Sequence, residues 1–448
     1  MERDLTRGPV VRGLILFSLP LMAGNLLQQM YNLADTWVVG RFLGQTALAA
    51  VGSAFSLMVL LTSIILGLCL GAGVVTSQFY GQGDRESMRL ATGNALLLIA
   101  GVTALLTALS YLLTEPLMLL MRIPEEAVPP LKSYLTVIFA GLPATFLYNY
   151  LASVMRSAGN SVTPLWFLMA SALLNIALDL LMVPVLGLGV PGAAWATVIA
   201  QYVSALGIGW YFLARMGGMA PARRHLKPHG PLMRRIASVS ALTSVQQSVM
   251  NFGILMIQSL VNSFGVPVMA AFAAGVKIDA FAYAPAQDFA GGFATYVAQN
   301  LGAGKRDRVR RGFLAASAMS LGFCGAVSAL VAVFARPLLM LFIDPSAAQV
   351  LDIGVGYLRT EGLCYMGIGM LFLLYATWRG LEKAGMSVVL TVISLGLRVL
   401  LAYALAPVWG LSAIWWSIPI GWLTADIVGL IGLRKHLASR HREAKPGV

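Results

Sequence analysis

Two aspartates lie inside apolar stretches of the sequence, where an ionised side chain is costly. Asp35 stands near the end of the apolar run that begins at Gly13, and Asp179 lies within "ALLNIALDLLMVP". A carboxylate in hydrocarbon carries a large desolvation penalty or takes up a proton, so we expect these two to have a use. Two carboxylates in one poorly hydrated pocket do not both ionise cheaply. The pair is therefore predicted to bind a proton, or sodium through oxygen ligands.

Amides and a hydroxyl are predicted to complete this pocket. Asn175 lies one helical turn before Asp179 and shares its face. Thr197 on the following predicted helix adds a hydroxyl, and Asn149 on the preceding one adds an amide. Asp35 and Asp179 fall at similar depths, in the outer half of the first six predicted helices. We therefore predict one ion site made of Asp35, Asp179, Asn175 and Thr197.

Further charged side chains lie away from the outer ends of the predicted spans, and the sequence leaves their roles open. Lys277 and Asp279 are two residues apart and point to different faces of a helix, so each is expected to find a partner on another helix. Asp288 and Asp426 lie nearer the cytoplasmic ends of their spans, where water or a basic loop can hold them. Arg398 is either a fixed counter-charge or a substrate contact.

The composition indicates a polytopic membrane protein. Of the 448 residues, 58% are hydrophobic and only 11% are charged, which is too apolar for a water-soluble globule. Twelve segments are long enough to cross about 30 Å of hydrocarbon, so the predicted fold class is an all-α integral membrane protein of twelve helices in two six-helix lobes. These segments lie near 13–38, 47–79, 91–113, 131–152, 163–186, 190–213, 236–262, 268–299, 312–334, 354–377, 387–407 and 409–433.

The positive charge follows the predicted topology. Threading the chain through twelve spans places 24 of the 31 Lys and Arg residues on the side that holds both termini, which makes that side cytoplasmic. This accounts for the net charge of +13 without nucleic acid as a partner. The first apolar segment is too long for a cleavable signal peptide and is expected to remain as the first helix. The three cysteines and four histidines lack ligand-like spacing, so neither a disulfide framework, a metal site nor a cofactor is expected.

The two halves of the chain repeat one another. The polar stretch 215–235 divides the spans six and six, which predicts an N-lobe at 1–214, a cytoplasmic linker at 215–235, a C-lobe at 236–433 and a basic tail at 434–448. "SQFYGQGDR" at 77–85 matches "AQNLGAGKR" at 298–306. With six spans each, the repeats enter the membrane in the same sense, which is a transporter layout. The carboxylates do not repeat, because Met256 and Ala402 occupy the matching positions.

These motifs resemble the multidrug and toxic compound extrusion (MATE) transporters over nearly the whole chain. The resemblance is carried by "FSLPLMAGNLLQQMYNLADTWVVGRFLG" at 17–44, "SQFYGQGD", "AQNLGAGK", "MRSAGNSVTP" at 155–164 and "NIALD" at 175–179. It implies a two-lobe antiporter that exports organic, often cationic, compounds in exchange for protons or sodium. It also implies that the acidic cluster of the first lobe corresponds to Asp35, Asn175, Asp179 and Thr197.

The resemblance also implies substrate contacts and a moving part. The expected substrate contacts are Asp35, Asp179, Asn149, Tyr31 and Gln28. Pro20 lies on the same helix as Asp35 and removes one backbone hydrogen bond, so it is the candidate bend for gating. One branch of the family binds its ion in the second lobe through acids on spans seven and ten. Here span seven reads "SVQQSVMNFGI", and span ten has only Glu361 at its outer end, which favours coupling through the first lobe.

The predicted function is secondary active multidrug efflux from the cytoplasmic membrane, with protons or Na⁺ as the coupling ion. Small organic molecules and membrane lipids are the expected partners, and a monomer is expected. A lipid-linked oligosaccharide flippase is the first alternative, although only Lys277 and Arg398 are available to bind a diphosphate. An intramembrane aspartyl protease with Asp35 and Asp179 as its dyad is a remote alternative, because the Gly-x-Gly-Asp motif of such enzymes is absent. The chain is therefore expected not to be an enzyme.

Overall fold

The computed structural model describes residues 3–120 and 125–443, and every regular element among these residues is helical. In chain order the α-helices are α1 (Val10–Gln82), α2 (Arg85–Leu112), α3 (Thr114–Leu120), α4 (Val128–Ile138), α5 (Leu142–Ser157), α6 (Val162–Leu180), α7 (Gly189–Arg215), α8 (Gly230–Asn262), α9 (Val266–Gly302), α10 (Arg306–Leu339), α11 (Ala348–Gly362), α12 (Tyr365–Gly380), α13 (Ala384–Trp409) and α14 (Leu411–Glu443).

Ten helices within the described ranges are long and apolar enough to cross a membrane, and the bent pair α11 and α12 makes eleven. The predicted seventh span, 236–262, corresponds to α8, Gly230–Asn262, which has 33 residues but is not among the ten. Its amides at Gln246 and Gln247 and its several hydroxyls set it apart from the more apolar helices. The all-α membrane fold class is confirmed, whereas the twelve-span count and the cytoplasmic location of both termini stay predictions.

One glycine divides the first long helix into two spans. α1 runs for 73 residues, but Gly44 has φ of 83° and ψ of −174°, which separates the span Val10–Gly44 from the span Thr46–Gln82. Only glycine adopts this left-handed backbone without strain. Pro20 lies inside the first span, and the backbone around it keeps helical dihedral angles. The break in α1 is therefore at the predicted loop and not at Pro20.

The described chain divides into two compact units. The first consists mainly of Leu19–Ser244, and the second mainly of Arg7–Ser18, Val245–Leu301 and the chain from Lys305 onwards. The domain boundaries predicted at residues 214 and 236 stay a prediction.

Interhelical hydrogen bonds from hydroxyls fasten the first unit. Ser153 Oγ donates to Cys69 O at 2.7 Å, Tyr150 Oη donates to Thr92 O at 2.8 Å, and Ser240 Oγ donates to Leu68 O at 3.0 Å. Small and hydroxylated residues are typical of helix contacts in membranes, because they allow close approach and provide polar attraction that lipid cannot replace.

The predicted linker packs against α2 within the first unit. Asn94 Oδ1 accepts a hydrogen bond from His229 N at 2.8 Å, and Arg89 Nε donates to Ala220 O at 2.9 Å. His225 is buried and lies 2.9 Å from Glu86. These hydrogen bonds hold the linker against α2. The polar composition of residues 215–235 predicted a linker but not these contacts.

The second unit has an aromatic core. Phe272 stacks on Trp415 with ring centroids 5.8 Å apart, and Tyr357 meets Trp415 edge to face at 4.9 Å. These rings lie between α9, α11 and α14, so they fix the spacing of those helices.

We expect Gly71→Ala to destabilise the protein. A Cβ atom at position 71 would lie 2.5 Å from the Cα atom of Ser240, so two helix backbones must separate at a cost of about 1–3 kcal/mol. The measurement is the thermal unfolding midpoint in detergent. Gly101→Ala is the matched control, because its Cβ meets no atom within 4 Å. Equal midpoints for the two variants would contradict this account of the contact.

Candidate functional site

The first side of the candidate site is the face of α1 that carries Tyr31 and Asp35. These residues are four apart on a continuous helix, so their side chains lie on the same face, one turn from each other. Both are half-buried. The sequence places leucines and valines around them, which makes this a polar spot on an apolar helix.

The second side comes from α6, where Asp179 and Asn175 are also four residues apart. Asp179 is fully buried and Asn175 is 2% exposed. The regular α-helix ends at Leu180, one residue after Asp179, and continues as a π-helical turn, Leu181–Val185, that contains Pro184. Such wide turns are rare and are frequent at functional sites. Pro184 lacks an N–H group, which accounts for the change in helical pitch here.

The structure brings the two aspartates together. Asp35 and Asp179 lie close enough for their charges to interact. The hydroxyl of Tyr31 lies within electrostatic reach of both carboxylates, as does that of Tyr134 on α4. Four helices of the first unit therefore meet at one acidic spot: α1, α4, α6 and, through Thr197, α7.

Several oxygen atoms of the site accept no hydrogen bond from the described residues. Asn175 Nδ2 donates to Thr197 Oγ1 at 3.3 Å, and Thr197 Oγ1 donates to Ala193 O at 3.2 Å. In this site, four buried oxygens lack a hydrogen-bond partner among the described residues: Asp35 Oδ1, Asn175 Oδ1 and both carboxylate oxygens of Asp179. Unpaired buried acceptors are costly. A proton or a cation is the kind of ligand that satisfies them.

The other predicted site residues have no recorded hydrogen bond to Asp35 or Asp179 among the described residues. Asn149 is half-buried, and its Nδ2 donates to Thr145 O of its own helix at 2.8 Å. Gln28 is exposed, on the same span as Tyr31. Pro20 is half-buried, fifteen residues before Asp35. The ion-binding, substrate-binding and gating roles of all these residues stay predictions.

Tyr134 is a site residue that sequence reasoning missed. It lies on α4, is 7% exposed, and its hydroxyl interacts electrostatically with Asp35, Asp179 and Tyr31. Its context, "KSYLTVI", gave no sign of this, because a tyrosine near the end of a membrane helix ordinarily anchors the helix at the interface. The one available signal was its depth, one turn into the predicted fourth span.

A second group of charged residues meets in the second unit. Asp279 of α9 is 1% exposed and accepts hydrogen bonds from Tyr357 Oη at 2.5 Å and from Tyr365 Oη. Glu361 and Arg398 lie within electrostatic reach of Asp279. Lys277 points elsewhere, with Nζ 5.7 Å from the ring centroid of Phe342, as its spacing from Asp279 suggests. The sequence analysis did not connect Asp279 with Glu361.

Comparison with known proteins places this arrangement in context. The MatE family model matches residues 20–181 and 240–404. The "Probable multidrug resistance protein YpnP" of Bacillus subtilis is 29% identical over 391 residues, which is 87% of each chain. The "FAD transporter" of Shewanella oneidensis is 28% identical and covers 84% of this chain and 83% of its own.

Solved structures extend the likeness to the whole fold. The "Crystal structure of MATE in the bent conformation" superposes with a TM-score of 0.92 and 25% sequence identity, covering 98% of each chain. The match extends beyond the segments that the family model covers, from the first helix to the last.

We expect Asp179→Asn to stabilise the protein in sodium-free detergent at a strongly alkaline pH, where the carboxyl group of Asp179 is ionised. The substitution keeps the shape and removes a buried, unpartnered negative charge, which is worth about 1–3 kcal/mol. A raised thermal unfolding midpoint is the expected measurement. Asp352→Asn is the control, because Asp352 forms an exposed ion pair with Arg336 at 2.9 Å, and exposed ion pairs contribute little to stability. A lower midpoint for Asp179→Asn would mean that the fold depends on the charge.

Proposed function

The chain belongs to the MatE family, and from this premise we propose that it is an antiporter of the cytoplasmic membrane rather than an enzyme. Its substrates are amphipathic organic compounds, often cationic, which it exports in exchange for protons, with Na⁺ as the other candidate ion. The multidrug-resistance name of the relative from Bacillus subtilis supports this substrate class.

One observation carries the proposal: the carboxylate of Asp179 is fully buried, both its oxygens lack hydrogen-bond partners within the described chain, and its charge interacts with that of Asp35. Desolvation and mutual repulsion both disfavour two negative charges at this spot. The binding of one cation removes the repulsion. A coupling ion and a cationic substrate therefore compete for the same charge.

The transport cycle follows from this competition. An ion that enters from outside neutralises Asp35 or Asp179 and removes the attraction that holds the cationic substrate. The first span of α1 then bends near Pro20, and the substrate leaves on the outer side. The ion is released when the protein returns to the inward-facing state. A similar solved structure is described as MATE in the bent conformation, whereas α1 is helical through Pro20 here.

Other substrates and reactions are less well supported. The FAD transporter of Shewanella oneidensis suggests a phosphorylated substrate, but an acidic pocket repels phosphate. A flippase needs free cationic side chains, whereas Lys277 lies over Phe342 and Arg398 lies among acids. Proteolysis by Asp35 and Asp179 has no supporting motif.

We expect Asp35→Asn and Asp179→Asn to lower export of a cationic dye from proteoliposomes at least tenfold, because each variant keeps only one of the two carboxylates for which the ion and the cationic substrate compete. Export is measured under an imposed proton gradient and, separately, under an imposed sodium gradient. The ion whose gradient drives the parent protein is the coupling ion.

The same substitution at an exposed position, Asp352→Asn, is the control and retains export. Full export by both site variants would exclude the first-unit coupling site. FAD efflux and peptide cleavage on the same samples test the other candidate functions. Faster efflux of FAD than of the dye would reassign the substrate.

A further inference from the structure

A groove lies along the start of α1, in the part of this helix that belongs to the second unit. It has a volume of about 490 Å³ and is lined by Pro9, Val11, Arg12, Ile15 and Leu16. Val11 is 46% exposed and Ile15 is 44% exposed, although both lie in the candidate span Val10–Gly44. Exposed apolar side chains on a membrane span are suited to contact with lipid tails. The groove is therefore accessible from the bilayer.

One cation stands in this apolar groove. Arg12 is exposed and lies three and four residues before Ile15 and Leu16, so the three side chains share one helix face. No described residue forms an ion pair or a side-chain hydrogen bond with the guanidinium of Arg12. This group carries five N–H donors in a planar fork. The groove thus presents an apolar wall and a cation to the same ligand.

The start of α10 brings further positive charge to this end of the unit. Arg308 donates hydrogen bonds through Nη1 to Gly8 O at 3.0 Å and through Nη2 to Arg7 O at 3.2 Å. These bonds hold the start of α10 beside the segment that enters α1. Residues 306–311 comprise four arginines and one aspartate. Three of the arginines are exposed, namely Arg306, Arg310 and Arg311. The electrostatic field at the groove therefore favours an anion.

An anionic phospholipid matches both features of the groove. The predicted topology places this end of α1 and α10 at the cytoplasmic face, and the cytoplasmic leaflet contains anionic lipids that attract basic residues near the surface. A phosphate suits the fork of a guanidinium, and an acyl chain suits the apolar wall. Free phosphate would gain nothing from that wall.

A second copy of the chain is a poorer occupant of the groove. A closed dimer with two-fold symmetry uses the same surface on both subunits, so two Arg12 side chains would face each other. Two like charges in one apolar interface repel each other and are costly to remove from water. A lipid phosphate brings the opposite charge instead.

From these observations we propose that the groove at the start of α1 binds one anionic phospholipid of the cytoplasmic leaflet. The phosphate accepts hydrogen bonds from the guanidinium of Arg12, and an acyl chain lies along Val11, Ile15 and Leu16. The arginines at the start of α10 add longer-range attraction. This site is separate from the acids of the first unit, and lipid binding there does not depend on the proposed antiport.

The test is native mass spectrometry of the purified full chain in detergent, with a concentration series of phosphatidylglycerol or of phosphatidylcholine with the same acyl chains. We expect the first phosphatidylglycerol to bind with a Kd at least fivefold below that of phosphatidylcholine. Arg12→Met keeps an apolar side chain and removes the charge. It should raise the Kd for phosphatidylglycerol about fivefold and abolish the preference between the two lipids.

Three further variants separate charge, shape and position. Arg41→Met is the matched control, because Arg41 is also exposed and lies near the other end of the same span, so its Kd should equal that of the parent. Arg12→Lys keeps the charge and should keep the preference for phosphatidylglycerol. Ile15→Trp fills the groove without a change of charge and should weaken the binding of both lipids. A thermal unfolding midpoint for each variant verifies folding.

Equal Kd values of the parent for the two lipids would overturn the proposal. Equal Kd values of Arg12→Met and Arg41→Met for phosphatidylglycerol, or binding that Ile15→Trp leaves intact, would do the same. Displacement of the lipid by an equal concentration of glycerol phosphate would assign the site to a soluble anion and also overturn it. So would a dimer in sedimentation experiments that Ile15→Trp abolishes, because a second copy would then occupy the groove. None of these measurements uses an ion gradient or a dye, so their outcome is independent of the export assay.

Discussion

A buried carboxylate without a counter-charge is the constraint on which the rest of this structure depends. Asp179 lies in an apolar setting where both its oxygens lack donors among the described residues, and its neighbour carries the same charge. Such an arrangement lowers stability, and proteins retain it where function needs it. The surrounding helices provide the compensating stability through close contacts, such as Gly71 against Ser240 and Ser153 to Cys69.

The two units treat their buried acids differently. In the first unit, Asp35 and Asp179 have amide, hydroxyl and phenol groups nearby, and Asn175 donates to Thr197 and not to either carboxylate. In the second unit, Asp279 receives two tyrosine hydroxyls and lies within reach of Arg398. The first arrangement leaves negative charge open to a cation, whereas the second is nearly neutral. The two units thus bury their acids in different surroundings.

The sequence predicted the features that depend on neighbouring residues and not on contacts between distant helices. Helix type and the approximate bounds followed from apolar length, because a membrane span must satisfy its own backbone hydrogen bonds. The pairing of Asn175 with Asp179 followed from helical periodicity. Span seven stays a prediction, because α8 has sufficient length but carries amides and hydroxyls and is not among the candidate spans. The break in α1 was expected as a loop near Gly44, and the structure instead continues the helical hydrogen bonding on both sides of a single glycine.

The sequence by itself determined the class of protein, the family and the presence of acids in hydrocarbon, since these depend on composition, period and local motifs. Only the tertiary structure decided which of those acids meet. Tyr134 interacts with Asp35, 99 residues before it, and with Asp179, 45 residues after it, and Asp279 meets Tyr357 from 78 residues away. Such contacts arise from the packing of helix faces, and no local pattern encodes the angle at which one helix crosses another.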